Sequence, residues 1–242
     1  MKIDIITIFP EFFDPFLETS IIKRAIEQDI VSIKAHQLRD YSKNKHKKVD
    51  DTPYGGGAGM LMTMQPLDDA ISNLRDKNSK VILLSPQGKR FTQKKAIKLA
   101  KESHMILICG HYEGIDARIE HFIDEEISIG DYVLTGGEIP AMILSDAIVR
   151  LVPGVIHEDS SEEDSLQNGW LKYPQYTKPN DYKGYLVPEV LTSGNHQEIL
   201  KWREEMRLKN TILKRPDLLK SIKKTDAQAI KVEEIKRNIK KV

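Results

Sequence analysis

Between His157 and Asp164 the sequence reads HEDSSEED, five carboxylates among eight residues with no apolar side chain between them. A run of this kind either stays in water as a linker or lends one carboxylate to chemistry as a proton acceptor. A second signal is written in glycine. Four segments carry it: DDTPYGGGAGM at 50–60, SPQGKR at 85–90, CGHYEG at 109–114 and GDYVLTGGEIPA at 130–141. Glycine lets a backbone adopt positive φ and come close to a ligand, and four such loops together point to a built pocket rather than four separate turns. None ends in the Gly-Lys-Ser/Thr of a phosphate-binding loop, and no GxGxxG joins the first strand to its helix. That speaks against a nucleoside triphosphate or a dinucleotide. An adenosine with an uncharged or zwitterionic tail, held by backbone groups from several loops, is the ligand these loops would suit.

The elements that must position these loops alternate. KIDIITI, VSIKAH, KVILLS, HMILIC and EEISIG predict strands, while SIIKRAIEQ, QPLDDAISNL, TQKKAIKLAK, GIDARIEHF and EIPAMILSDAIVRL predict helices. The expectation is an α/β domain with a mostly parallel sheet, whose ligands sit beyond the carboxyl ends of the strands. After VPG at 152–154 the pattern breaks. The acidic stretch and YPQYTKPNDYKGYLVPEV predict an irregular crossing segment too polar to be core. Two helices follow, one with Asn195 as N-cap and a packing face of Ile199, Trp202, Met206 and Leu213, the other opened by Thr225 and Gln228 at capping-box spacing.

Charge divides the chain in the same place. Positions 201–242 hold fourteen Lys and Arg against six Asp and Glu, a balance of +8, which leaves 23 against 30, or −7, for positions 1–200. A basic tail suits a polyanion, and an acidic body another task. Arg39, Lys43, Lys45, His46, Lys47 and Lys48 form a second basic patch just before the first glycine loop. No apolar run approaches the roughly 20 residues of a membrane span, and MKIDIITIFPEFF lacks the long apolar core of a cleavable signal, so a cytoplasmic protein is expected. The single cysteine, Cys109, excludes an internal disulfide framework and any multi-cysteine zinc site.

Taken in order, DDTPYGGGAGM, LSPQG, CGHYEGIDARI, IGDYVLTGGEIPAM, DAIVRLVPGV, EEDS and YPQYTKP resemble the bacterial tRNA (guanine-N1)-methyltransferase (TrmD) family of the SPOUT superfamily, along essentially the whole chain. The resemblance implies a parallel sheet whose carboxyl-terminal part threads a deep trefoil knot, an obligate homodimer, and S-adenosylmethionine as methyl donor to N1 of guanosine 37 beside the tRNA anticodon. It implies three regions: a cofactor-binding domain at 1–157, a flexible strap at 158–175 and a basic helical tRNA-binding domain at 176–242. Pro86, Gly88, Gly110, Tyr112 and Glu113 would hold the cofactor, together with Ile129, Gly130, Asp131, Tyr132, Val133, Leu134, Gly136, Gly137 and Pro140.

Guanine N1 carries a proton at neutral pH, so its methylation calls for a base and for a cation near O6. The resemblance gives these roles to Asp164 and Arg150. The other acids of the run, Glu158, Asp159, Glu162 and Glu163, are read as solvated. Asp50, Gly55, Gly56, Gly57, Lys178 and His196 would meet the tRNA. Magnesium assistance is implied as well, although the sequence holds no dedicated carboxylate cage for it. The sequence departs from the common pattern at His111 and Lys178, where Arg is frequent, and at Trp170, where Leu is. A catalytically silent RNA-binding protein on the same fold is the alternative, and the presence of both Arg150 and Asp164 weighs against it.

Overall fold

The computed structural model describes residues 1–156 and 164–239. It divides into two compact units, Met1–Glu158 and Asp159–Val242. In the first, β1 (Lys2–Thr7), β2 (Ser32–Gln37), β5 (Ser79–Arg90), β6 (His104–Cys109) and β7 (Glu125–Ser128) form a five-stranded sheet in the order β2-β1-β6-β5-β7. Every pairing is parallel. Two short antiparallel strands, β3 (Asp50–Asp51) and β4 (Leu61–Met62), stand apart from it.

Both faces of the sheet are covered, which is why its central strands are apolar without alternation. Along β6, Met105, Leu107 and Cys109 join one core with Ile3, Ile5, Leu84 and residues of α2 (Ser20–Glu27), α4 (Gln93–Leu99) and α5 (Glu138–Val149). Ile106 and Ile108 join the other, with Ile6, Leu83 and Leu67, Ala70 and Ile71 of α3 (Met64–Leu74). A four-residue turn, α1 (Asp14–Leu17), precedes α2.

Asp4 and Glu138 are the buried carboxylates among the described residues of this unit, and Asp4 is the deeper. Asp4 is 1% exposed, with His36 Nε2, His104 Nε2 and Lys2 Nζ at 2.7, 2.8 and 2.7 Å from its oxygens. Burial alone would raise its pKa, but the hydrogen bonds from His36, Lys2 and His104 overcome that and hold it well below the usual carboxylate range.

The second unit has a small core of Trp170, Leu208, Ile222 and Val232. It is built on α6 (His196–Lys214) and α7 (Asp226–Ile239), with a hairpin of β8 (Asp181–Tyr182) and β9 (Tyr185–Leu186). Both helix starts follow their sequence signals. Asn195 Oδ1 accepts from Glu198 N at 3.3 Å, and Thr225 and Gln228 exchange side-chain to backbone bonds of 3.1 and 3.2 Å.

Four expectations need correction. The GIDARIEHF helix is only a 3-10 segment, Ala117–His121, opened by Asp116 accepting from Arg118 N. The third strand does not stop at SPQG: β5 runs to Arg90, pairing with Ile127 at Leu84 and again at Lys89 around a detour of Ser85–Gly88. The packing face of α6 is Leu208, Thr211 and Ile212, while Leu213 is half exposed. Thr211 tolerates burial because its hydroxyl accepts from Leu171 N and donates to Arg207 O. Nor is the crossing segment wholly polar, since Trp170 and Tyr173 are buried. Among the described residues, no helix is long and apolar enough to cross a membrane.

Candidate cofactor and substrate site

At the carboxyl ends of β5, β6 and β7 the first unit encloses a cavity of about 450 Å³, a size that suits a small organic ligand. Its walls are main chain as much as side chain. The β5 detour brings Leu84, Ser85, Pro86 and Gln87; the segment after β6 brings Gly110 to Ile115; and Glu126 to Gly130 come from β7 and the residues after it. The Tyr132–Gly137 loop, Pro140 of α5, Leu61, Ala117, Ile119 and Glu120 also line it.

Two glycines show how tightly these backbones are laid. A Cβ on Gly137 would stand 2.5 Å from Cys109 Cα, and Gly137 N donates to Gly110 O at 2.8 Å, docking the start of α5 on the end of β6. A Cβ on Gly88 would stand 2.4 Å from Ile127 N. Neither position leaves room for a side chain. The Asp50–Met60 loop is tied in from the side, since Glu113 N donates to Met60 O and Met62 N to Gly114 O at 3.1 and 2.9 Å.

The electrostatics are one-sided. Glu113, Glu120 and Glu126 line the cavity, and none of the described lining residues is Lys or Arg. A triphosphate would find no cation there, whereas a ligand bearing positive charge meets carboxylates. His111 lies between the rings of Phe9 and Tyr112, at centroid distances of 5.1 and 5.3 Å, with Nδ1 3.9 Å from Glu138 Oε2. The buried Glu138 accepts from Thr7 Oγ1 at 2.8 Å. Cys109 is no nucleophile, because burial, with the Glu138 charge beside it, pushes its thiol pKa well up.

The cavity gathers Pro86, Gly110, Tyr112, Glu113, Ile129, Gly130, Tyr132, Val133, Leu134, Gly136, Gly137 and Pro140. It does not include Gly88, which is packed against β7, or Asp131, which is exposed and paired with Arg90. Leu84, Ser85, Gln87, Thr135, Glu120 and Glu126 also line it and were not singled out from the sequence. Glu126 could have been found from its place on a strand whose carboxyl end was already suspect.

Arg150 is half-buried at the carboxyl end of α5, its N–H donating to Asp146 O. Asp50 is half-buried in β3, and Gly55, Gly56 and Gly57 are exposed with positive φ. In the basic patch, Lys43 pairs with Asp69 and Lys47 with Asp40. In the second unit Asp164 lies 3.6 Å from Lys172 Nζ, and Lys178 and His196 are exposed. Glu158, Asp159, Glu162 and Glu163 lie outside the described residues. Among the described residues no group of three or more His, Cys, Asp and Glu is placed to hold a metal ion.

Comparison with known proteins gives this geometry a family. The profile described as tRNA (Guanine-1)-methyltransferase TrmD matches residues 1–221. The chain is 58% identical over 242 residues to the tRNA (guanine-N(1)-)-methyltransferase of Aster yellows witches'-broom phytoplasma (strain AYWB), covering 100% of both chains. It is 58% identical to the protein of that name from Acholeplasma laidlawii (strain PG-8A), covering 99% of each. With the one from Bacillus subtilis (strain 168) it shares 54%, covering 94% of this chain and 96% of that one. The chain belongs to the TrmD family of tRNA (guanine-1)-methyltransferases.

Proposed function

We propose that this protein methylates N1 of guanosine 37 in tRNA, next to the anticodon, and so protects the reading frame. The observation that carries the reading is the acidic, glycine-walled cavity at the ends of β5, β6 and β7. S-adenosylmethionine supplies an electrophilic methyl group on a positively charged sulfur. The lining fits such a group, with carboxylates and no Lys or Arg among its described residues. Pro86, Gly110, Tyr112, Gly136 and Gly137 would hold it through their backbone, and Gly130 and the Tyr132–Leu134 loop would close over it. Gly88 and Asp131 belong to the same proposal as supports, one fixing the detour and the other anchoring the loop through Arg90.

In this reading Asp164 accepts the N1 proton. A carboxylate is a weak base in water, so Asp164 must be shielded from water beside the bound guanosine. Arg150 offsets the negative charge that grows on O6. A positioned base contributes about 10²–10⁴ in rate, and a preorganised donor at a developing oxyanion a comparable factor. Asp50 and Gly55–Gly57 flank the guanosine. Lys178, His196 and the basic residues of 176–242 grip the RNA, so binding falls steeply with salt. Reaching N1 requires turning the base out of its stack.

A knotted path and a dimer belong to the same proposal. The close crossings at Gly88 and Gly137 suit a chain drawn tightly through itself. Phe12 of the 3-10 segment Pro10–Phe13 and Ile139 and Ile143 of α5, against which that segment packs, are exposed, an apolar surface fit to be covered by a second copy. Magnesium stimulation and a cytoplasmic location complete the reading.

The test is transfer of labelled methyl from S-adenosylmethionine to a tRNA transcript with guanosines at positions 36 and 37, in wild type and Asp164→Asn. Labelling by wild type, with a rate about 10²–10⁴ lower and tRNA binding intact in the variant, is expected. An equally fast variant removes Asp164 as the base. No labelling by wild type removes the function, leaving a silent RNA binder.

A further inference from the structure

Four of the eight tyrosines fall between Tyr173 and Tyr185, and their surroundings change along that stretch. Tyr173 is buried, with the Arg203 guanidinium 4.9 Å from its ring centroid. Tyr176 is half exposed, its ring 6.4 Å from that of Trp202. Tyr182 and Tyr185 are 62% and 80% exposed. The first of these anchors the segment; the last two present their rings to solvent.

Those two rings are held in a defined place. Tyr182 and Tyr185 are direct cross-strand partners in the β8–β9 hairpin, so they leave the same face of the ribbon. Between them Lys183 and Gly184 have φ of 56° and 85°, the left-handed pair that a two-residue type I′ turn requires. Asp181 Oδ1 accepts from Gly184 N at 2.7 Å, and Val187 N donates to Asn180 O at 2.9 Å, closing the tip and the base. A ribbon of two-residue strands has little stability to spare. The opposed pair steadies the ribbon, and both rings still lie largely in water, where a partner can reach them. Lys178 and Lys183 stand against Asp181 and Glu189 in this stretch, and the cation nearest the rings is that of the turn itself, with Lys183 Nζ 5.5 Å from the Tyr182 ring centroid.

We infer that the β8–β9 hairpin is a stacking platform for unpaired RNA bases, with Tyr182 and Tyr185 taking nucleobases of a single-stranded loop and Lys183 the adjoining phosphate. The inference rests on the reading of the substrate as tRNA and adds where its unpaired nucleotides are held. Every base has a π face, so the platform grips without selecting sequence. Selection is left to the methyl-transfer site.

The experiment uses the full chain and two RNAs of equal length, a stem-loop with an unpaired loop and a fully paired duplex, with affinity followed across a salt series. The Tyr182→Leu/Tyr185→Leu variant should bind the stem-loop about 10- to 100-fold more weakly. Its duplex affinity, salt slope, S-adenosylmethionine affinity and melting temperature should match wild type. Tyr182→Phe/Tyr185→Phe should bind like wild type, and Lys183→Gln should lower the salt slope by about 0.7. Unchanged stem-loop binding by the leucine variant overturns the inference, as does equal weakening on both RNAs or failure of the phenylalanine variant to bind. Intact RNA binding with an altered oligomeric state also overturns it and assigns the hairpin to self-contact. Wild type that neither binds nor methylates tRNA sinks the methyltransferase reading itself; wild type that does both beside an unaffected leucine variant sinks the platform alone.

Discussion

The two units solve different problems with different amounts of material. In the first, apolar side chains cover both faces of a sheet, and neighbouring backbones approach until only glycine fits, at Gly88 against β7 and at Gly137 against β6. In the second, the core is Trp170, Leu208, Ile222 and Val232, supplemented by helix caps and by the hydroxyl of Thr211. A cavity that must hold reacting atoms within fractions of an ångström needs the first kind of construction. A surface that grips a polymer through many weak charged and stacking contacts can rest on the second, because no single contact decides the outcome. On the proposed function, precision is built on the sheet and adhesion on the thin helical unit.

The contrast can be broken from either side. Asp4→Asn should do the most damage, removing a buried charge from between His36, His104 and Lys2, a loss of about 3–5 kcal/mol for a buried pair. Because the native pKa of Asp4 is depressed, its contribution is present above the unfolded value of about 3.9 and is lost as pH falls through the native one. The melting-temperature gap between wild type and variant should therefore be widest near neutral pH and shrink below about pH 4.

Leu208→Ala is the converse cut. It should cost the second unit about 2–5 kcal/mol and weaken tRNA binding, while titration with S-adenosylmethionine matches wild type. Loss of cofactor affinity in that variant would show that the units are not independent. Gly137→Ala sharpens the comparison within the first unit. Its methyl would have to enter the backbone of Cys109 and Gly110, so a loss of about 1–3 kcal/mol should come with a larger fall in cofactor affinity than in tRNA affinity. Thr225→Ala should be mildest, about 1 kcal/mol from one N-cap, visible as earlier melting of the second unit with methyl transfer unchanged at low temperature.

Much of this organisation could be read from residue order, and the exceptions have physical causes. The five strands were legible because β6, Val81–Leu84 of β5 and most of β1 are buried and so read as short apolar runs. The caps of α6 and α7 were legible because Asn195, Thr225 and Gln228 act within four residues of themselves. Continuation of β5 through Lys89 and Arg90 was not, because it depends on pairing with a strand some forty residues away. GIDARIEHF has helical spacing, yet Asp116 accepts from Arg118 N and only a 3-10 segment forms. Leu208 was missed because Trp202 and Met206 drew the packing stripe to the opposite side of α6. In the cavity, glycine announced the walls; Glu120 and Glu126, which set its charge, look from sequence like any exposed acid.

The detour in β5 has a consequence for how the gene can vary. Leu84 and Lys89 both pair with Ile127, so Ser85–Gly88 is a length of chain measured out between two fixed points. Removing one residue either draws a wall of the cavity inward or slips the end of the strand, turning Lys89 and Arg90 toward the wrong face of the sheet. Adding one pushes Pro86 and Gln87 out of position. Many side chains here could be exchanged before the fold suffered, but the count of residues could not, and insertions or deletions in this short stretch should be tolerated less than almost any single substitution within it.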